Sequence, residues 1–164
     1  MTVTALSRVL GLPGRVFSGL VLIAVLLLGS PASAQTPAVP DENTLARLVW
    51  GTMVALDNAN RTGNYSVLHG LGTDEFQAQN STRQLVGTFA PLRRNRVDVG
   101  RAILSTPTYY IPPAVTRDGD LRLRGGFDYR PKSIRFDLIY SLERGAWRIT
   151  AMSVVEMDAN APKR

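Results

Sequence analysis

Residues 121–155 read LRLRGGFDYRPKSIRFDLIYSLERGAWRITAMSVV, and the alternation of apolar and polar positions along them decides the fold. A two-residue turn at Arg144-Gly145 predicts a hairpin that pairs Leu142 with Trp147, Tyr140 with Ile149, Leu138 with Ala151 and Ile134 with Val155. Extending the sheet backwards through the loop Arg130 to Ser133 sets Tyr129 beside Ile134, Phe127 beside Phe136, Leu123 beside Tyr140 and Leu121 beside Leu142. All these apolar residues then share one face across three strands. Arg122, Arg124, Asp128, Arg135, Asp137, Arg148 and Thr150 fall on the other face, together with Ile139, Met152 and Val154. Asp128 and Arg135 are expected to oppose each other as an ion pair of at most about 1 kcal/mol. One face is core and the other is wet, as in an antiparallel sheet covered on one side. Gly125-Gly126 is a candidate bulge, where a slip of one residue would exchange the faces upstream. Asp118-Gly119 reads as a turn leading back to a strand around Ala114 to Thr116, and Val97 to Leu104 reads as a further strand.

Upstream the signals are helical. Asp41 is a cap for a helix with apolar positions at Leu45, Leu48, Val49, Thr52, Leu56 and Ala59, stopped at Gly63. Asn64 to Asn80 is broken by Gly70 and Gly72 into two short helical pieces holding Tyr65, Leu68 and Phe76. Ser81 with Gln84 makes a capping box for a helix carrying Leu85, Val86, Phe89 and Leu92, with helical signals ending near Asn95. Helices followed by an antiparallel sheet is an α+β order.

The order of elements resembles the nuclear transport factor 2-like superfamily of α+β cones. So do the strands Leu121-Arg122-Leu123-Arg124-Gly125 and Ile134-Arg135-Phe136-Asp137-Leu138 and the closing Gly145-Ala146-Trp147-Arg148-Ile149. The resemblance covers residues 41–157. It implies helices packed on a strongly curved antiparallel sheet, with a central pocket between the helices and the concave face. Members bind small apolar molecules there, and include ketosteroid isomerases, polyketide cyclases, dehydratases and secretion-system components, so the fold alone settles little about function. On this chain the pocket would be lined by Trp50, Met53, Tyr110, Tyr129, Phe136 and Tyr140. The isomerases use a carboxylate base with a tyrosine and a protonated aspartic acid. That set is not clearly repeated, because the register puts Asp128 and Asp137 on the wet face.

The first 34 residues read as an export signal. Arg8 and Arg15 precede the apolar run Leu20 to Leu28, followed by Gly29-Ser30-Pro31 and the small-residue site Ala32-Ser33-Ala34, with cleavage expected between Ala34 and Gln35. The run is shorter than the roughly 20 residues of a spanning helix, so no stable membrane anchor is expected after cleavage. Residues 35–40 form a linker and 158–164 a flexible tail. Without the signal, 17 basic and 13 acidic residues leave a net charge of +4, and only Lys132 and Lys163 are lysines. That usage resembles a high-GC bacterium and favours a periplasmic or secreted address. The absence of cysteine excludes disulfides, thiolate nucleophiles and cysteine metal sites.

Few residues offer chemistry. His69, the only histidine, stands before the Gly70 break, as a general base at a pocket mouth or as a histidine favoured at a helix end by the dipole. Asp57 lies on the helix flank of Trp50 and Met53, outside the main apolar stripe, which favours a solvated or capping role over a catalytic one. Tyr65 is the third weak catalytic candidate. Tyr109-Tyr110-Ile111-Pro112-Pro113 is either an aromatic rim or a strand end stopped by proline. The run Arg93-Arg94-Asn95-Arg96, with Arg101, suits a helix C-terminus, and contact with anionic headgroups or an acidic partner stays open. Export argues against nucleic acid. No metal site and no cofactor are expected, since phosphate loops and zinc motifs are absent. The expectation is non-catalytic binding of a small apolar ligand or a protein partner. The alternatives are a cofactor-free isomerase, cyclase or dehydratase, and an assembly subunit that dimerises or meets an envelope protein through the outer sheet face.

Overall fold

The computed structural model describes residues 37–160; the expected export signal, its cleavage point Ala34/Gln35, the start of the linker and residues 161–164 lie outside them. Helix α1, Glu42–Thr62, begins where the Asp41 carboxylate accepts the Thr44 N–H at 2.8 Å and ends at Gly63, whose φ of 74° is the left-handed stop expected of glycine. Leu45, Val49, Thr52, Met53, Leu56 and Ala59 are buried along it. Met53 is wholly buried, so the apolar stripe is wider than the sequence reading drew it. Helices α2 (Ser66–Gly70) and α3 (Asp74–Gln79) are the two short pieces expected around Gly72. The Ser81/Gln84 capping box opens α4 (Thr82–Thr88). The single helix expected there is two, because the chain breaks at Phe89 and restarts as α5 (Ala90–Arg94) with Pro91 in its first turn.

Val97 to Leu104, expected as a strand, contains instead a 3-10 helix over Val99–Leu104. Val99 and Ala102, three residues apart, are its buried positions, and three side-chain bonds hold it. The Gly100 N–H reaches Asp57 Oδ1 at 3.1 Å, Trp50 Nε1 donates to the Ser105 carbonyl at 3.2 Å, and the Tyr129 hydroxyl donates to the Arg101 carbonyl at 2.6 Å. Those long-range bonds, not local propensity, set the segment's conformation.

Four antiparallel strands follow in the order β1-β2-β3-β4: β1 Thr108–Val115, β2 Leu121–Phe127, β3 Lys132–Glu143 and β4 Ala146–Asp158. Helices plus this sheet make the α+β class. The β3–β4 turn has positive φ at both Arg144 (53°) and Gly145 (77°), the geometry a two-residue hairpin favours. From it Leu142 pairs with Trp147 and Tyr140 with Ile149, as the parity predicts. Thr150 is then an extra residue on β4, and beyond it Leu138 pairs with Met152 and Ile134 with Glu156, not with Ala151 and Val155 as expected, while Phe136 pairs with Val154. Val154 is therefore buried at 5% exposure and Met152 packs on the core, while Val155 is 43% exposed. The faces assigned to these residues from the sequence are corrected.

The β2–β3 register also differs. Phe127 faces Ile134, Leu123 faces Leu138 and Leu121 faces Tyr140, two residues from the expected pairing. An even slip preserves the faces, so Leu121, Leu123, Phe127, Ile134, Phe136, Leu138 and Tyr140 all remain core. Pairing of β2 with β3 runs unbroken past Gly125-Gly126; the irregularities lie on the other side, in β1, around Tyr110 and around Pro112-Pro113. The Tyr109–Pro113 stretch is thus neither a free rim nor a strand end but the middle of an edge strand, where prolines are tolerated. A Cβ on Gly126 would stand 2.6 Å from the Ile134 carbonyl oxygen and 2.5 Å from the Tyr110 hydroxyl, so this position needs glycine for close approach. The segment expected to be a flexible tail begins inside the sheet: Asp158 pairs with Lys132, and the Ala159 N–H bonds to the Pro131 carbonyl at 3.0 Å.

Candidate functional site

The inner, helix-facing side of the sheet is filled with packed side chains. Tyr140 is 2% exposed; its hydroxyl lies 2.9 Å from Thr52 Oγ1 and 3.0 Å from the Leu48 carbonyl it donates to. Burial pushes that phenol far above the ordinary tyrosine range. Met53 and Phe136 are likewise core, Phe136 meeting Tyr109 edge-to-face with ring centroids 6.3 Å apart. Trp50 and Tyr129 are half-buried and spend their polar atoms on the 3-10 helix. Tyr110 stands on the opposite side of the sheet, its hydroxyl donating to Asp128 at 3.0 Å. The structure thus distributes the six expected pocket residues over the core, its margin and the outer face.

The three candidate catalytic residues are also dispersed. Asp57 caps the 3-10 helix and lies 3.8 Å from Arg61. His69 Nε2, in the last turn of α2, is 3.1 Å from the Gln77 carbonyl. A carbonyl only accepts, so that nitrogen carries the proton and ties α2 to α3. Tyr65 is buried, stacks on Phe89 at 6.2 Å, and donates to Asn60 Oδ1 at 2.6 Å. Each has structural bonds of its own. Among the described residues no group of three or more His, Asp or Glu side chains is placed to hold a metal ion.

The outer sheet face carries a shallow, open depression of about 560 Å³. Tyr110, Val155 and Met157 supply its apolar wall, and Arg124 and Asp137 its charged rim. Asp137 is the hub of that rim. Arg122 grips it with two bonds, of 2.9 and 2.6 Å, and Arg124 with two more, of 2.9 and 2.6 Å. Hydrogen bonds from Arg122, then from Arg124, hold its carboxyl below the usual aspartate value, against the opposing effect of burial. Both arginines follow from the parity of β2 (Arg122, Arg124) and β3 (Asp137), which the sequence displays. Val155 and Met157 do not, because their side depends on the extra residue at Thr150.

Compared with protein-family models, with characterised proteins and with solved structures, the chain finds no match.

Proposed function

We propose that this is an exported, non-catalytic binding module, and that its contact surface is the outer sheet face. The observation that carries this reading is the depression walled by Tyr110, Val155 and Met157, on a face where Arg122 and Arg124 share the single carboxylate of Asp137. Its openness suits an apolar side chain from a partner protein or a second copy of the chain better than a small ligand, which pockets bury by 70–90% or more. The resemblance to the nuclear transport factor 2-like superfamily is carried here as part of the proposal, supported by the order of helices and strands and with the binding surface moved from the cone's interior to the outside of the sheet. The structural bonds of Asp57 and His69 favour binding over the isomerase or cyclase alternative.

Native mass spectrometry of protein purified from its own host tests this directly. A chain beginning at Gln35, in a dimer or hetero-complex that Val155→Asp dissolves while leaving the circular-dichroism spectrum unchanged, is the expected result. A bare monomer, or a complex indifferent to that substitution, overturns it.

A further inference from the structure

The sheet face leaves unused the densest run of positive charge in the chain, Arg93-Arg94-Asn95-Arg96. Helix α5 closes there in a Schellman arrangement: the Val97 N–H donates to the Leu92 carbonyl at 2.9 Å and the Arg96 N–H to the Arg93 carbonyl at 3.1 Å. The residue in the left-handed position is Arg96, φ 52°, where a Cβ is costly and glycine is the usual occupant. Arg93 beside it is fixed from behind, donating to the Tyr65 hydroxyl and, at 2.7 Å, to the Val86 carbonyl. Its partners are neutral oxygens. Tyr65 passes the chain of bonds to Asn60 Oδ1, and the covered Asn60 Nδ2 has no partner.

Asn60, Arg61, Arg93 and Arg96 line one depression of about 330 Å³ with Asp57 and Asp98. Among the described residues, the ion pair it contains is Asp57–Arg61 at 3.8 Å; Arg93 and Arg96 have no carboxylate within 4.0 Å. A guanidinium carries five donors, and the bonds that hold Arg93 take one from each of Nη1 and Nη2, leaving three. Two unneutralised guanidinium groups converging on a cleft, one held rigidly and one presented at a backbone cost, make an oxyanion site. Asp98, whose side chain makes no capping bond to the 3-10 helix, adds an acceptor for hydroxyl groups.

We propose that this depression binds a phosphorylated polyol, its phosphate held by Arg93 and Arg96 and its hydroxyls directed to Asp98. The source is either a free phosphate ester or a glycerophospholipid headgroup, which share this chemistry. The site is independent of the sheet face.

The test titrates the full chain with glycerol 3-phosphate by calorimetry at low ionic strength, and in parallel measures co-sedimentation with phosphatidylglycerol vesicles. Arg96→Gly is the informative variant: it should raise the urea midpoint, because glycine fits the left-handed position, yet weaken binding about tenfold. Arg61→Gln, at a side chain 77% exposed, should weaken it less and leave the fold unchanged. Binding to both probes assigns a free phosphate ester as sufficient; binding to vesicles alone assigns the lipid headgroup; in each case the loss in Arg96→Gly supports the site. Binding by neither probe, or equal binding by wild type and both variants, overturns it.

Discussion

On the sheet, Arg122 and Arg124 close on Asp137, Arg144 on Asp74 and Arg148 on Glu143, whereas at the end of α5 Arg93 bonds to a phenol and a carbonyl and Arg96 stands over a cleft. The difference teaches what each surface can offer. Pairing spends an arginine's donors and offsets its charge, in part only where Arg122 and Arg124 share one carboxylate, so the sheet presents apolar contact between ion-paired rims. Unpaired arginines keep their field, and the α5 end can attract an anion.

The largest effect expected from breaking this contrast comes from Arg93→Leu. It removes the charged donor to the Val86 carbonyl and to the Tyr65 hydroxyl, which keeps only its bond to Asn60, and should lower unfolding free energy by about 2–3 kcal/mol in urea denaturation, the scale of lost charge-assisted bonds. Next, Gly126→Ala forces a Cβ against the Ile134 carbonyl and the Tyr110 ring, and should cost about 2 kcal/mol by the same measurement. A smaller effect, about 1 kcal/mol or less, is expected of Asp137→Asn, since the three side chains are 23–45% exposed and solvent screens them. Its pH dependence sharpens the comparison. The Asp137 carboxyl is held below its ordinary value, so its contribution is fully present above about pH 4 and disappears as the pH falls through its lower folded value. Wild type and Asp137→Asn should therefore differ in stability at pH 6 and converge in acid, as the pH falls through that lowered folded value; a constant gap would mean the loss is packing, not charge.

Where local chemistry decides the structure, the sequence was legible. Asp41 and Gly63 bound the first helix, Ser81 and Gln84 open the fourth, and Arg144-Gly145 makes the hairpin, each through bonds within a few residues. The 3-10 helix was not legible, since it depends on Asp57, Trp50 and Tyr129 arriving from elsewhere. Nor were the irregularities of β1 and β4, because an alternating pattern looks the same whether or not one residue is skipped. That ambiguity moved half of the candidate site. Arg124 and Asp137 were placed on the outer face by parity, while Val155 was assigned to the core and Val154 to solvent. Arg93 and Arg96 were visible as charge, yet nothing in their spacing says that one would be held by Tyr65 and the other would occupy a glycine's conformation.

The extra residue at Thr150 also works as punctuation. Before it β4 is read in one phase, with Ile149 inward; after it in the other, with Val154 inward and Val155 outward. Length is therefore as much a part of this strand's message as composition. Removing Thr150 alone would leave Ile149, Met152 and Val154 inward in plain alternation, whereas removing Ser153, beyond it, would expel Val154 and offer Val155 to the core. Individual substitutions on the outer side, such as Ala151 or Ser153, leave that phase intact. In an inventory of tolerated changes, the strand should forgive altered letters on that side and refuse a missing one downstream of Thr150.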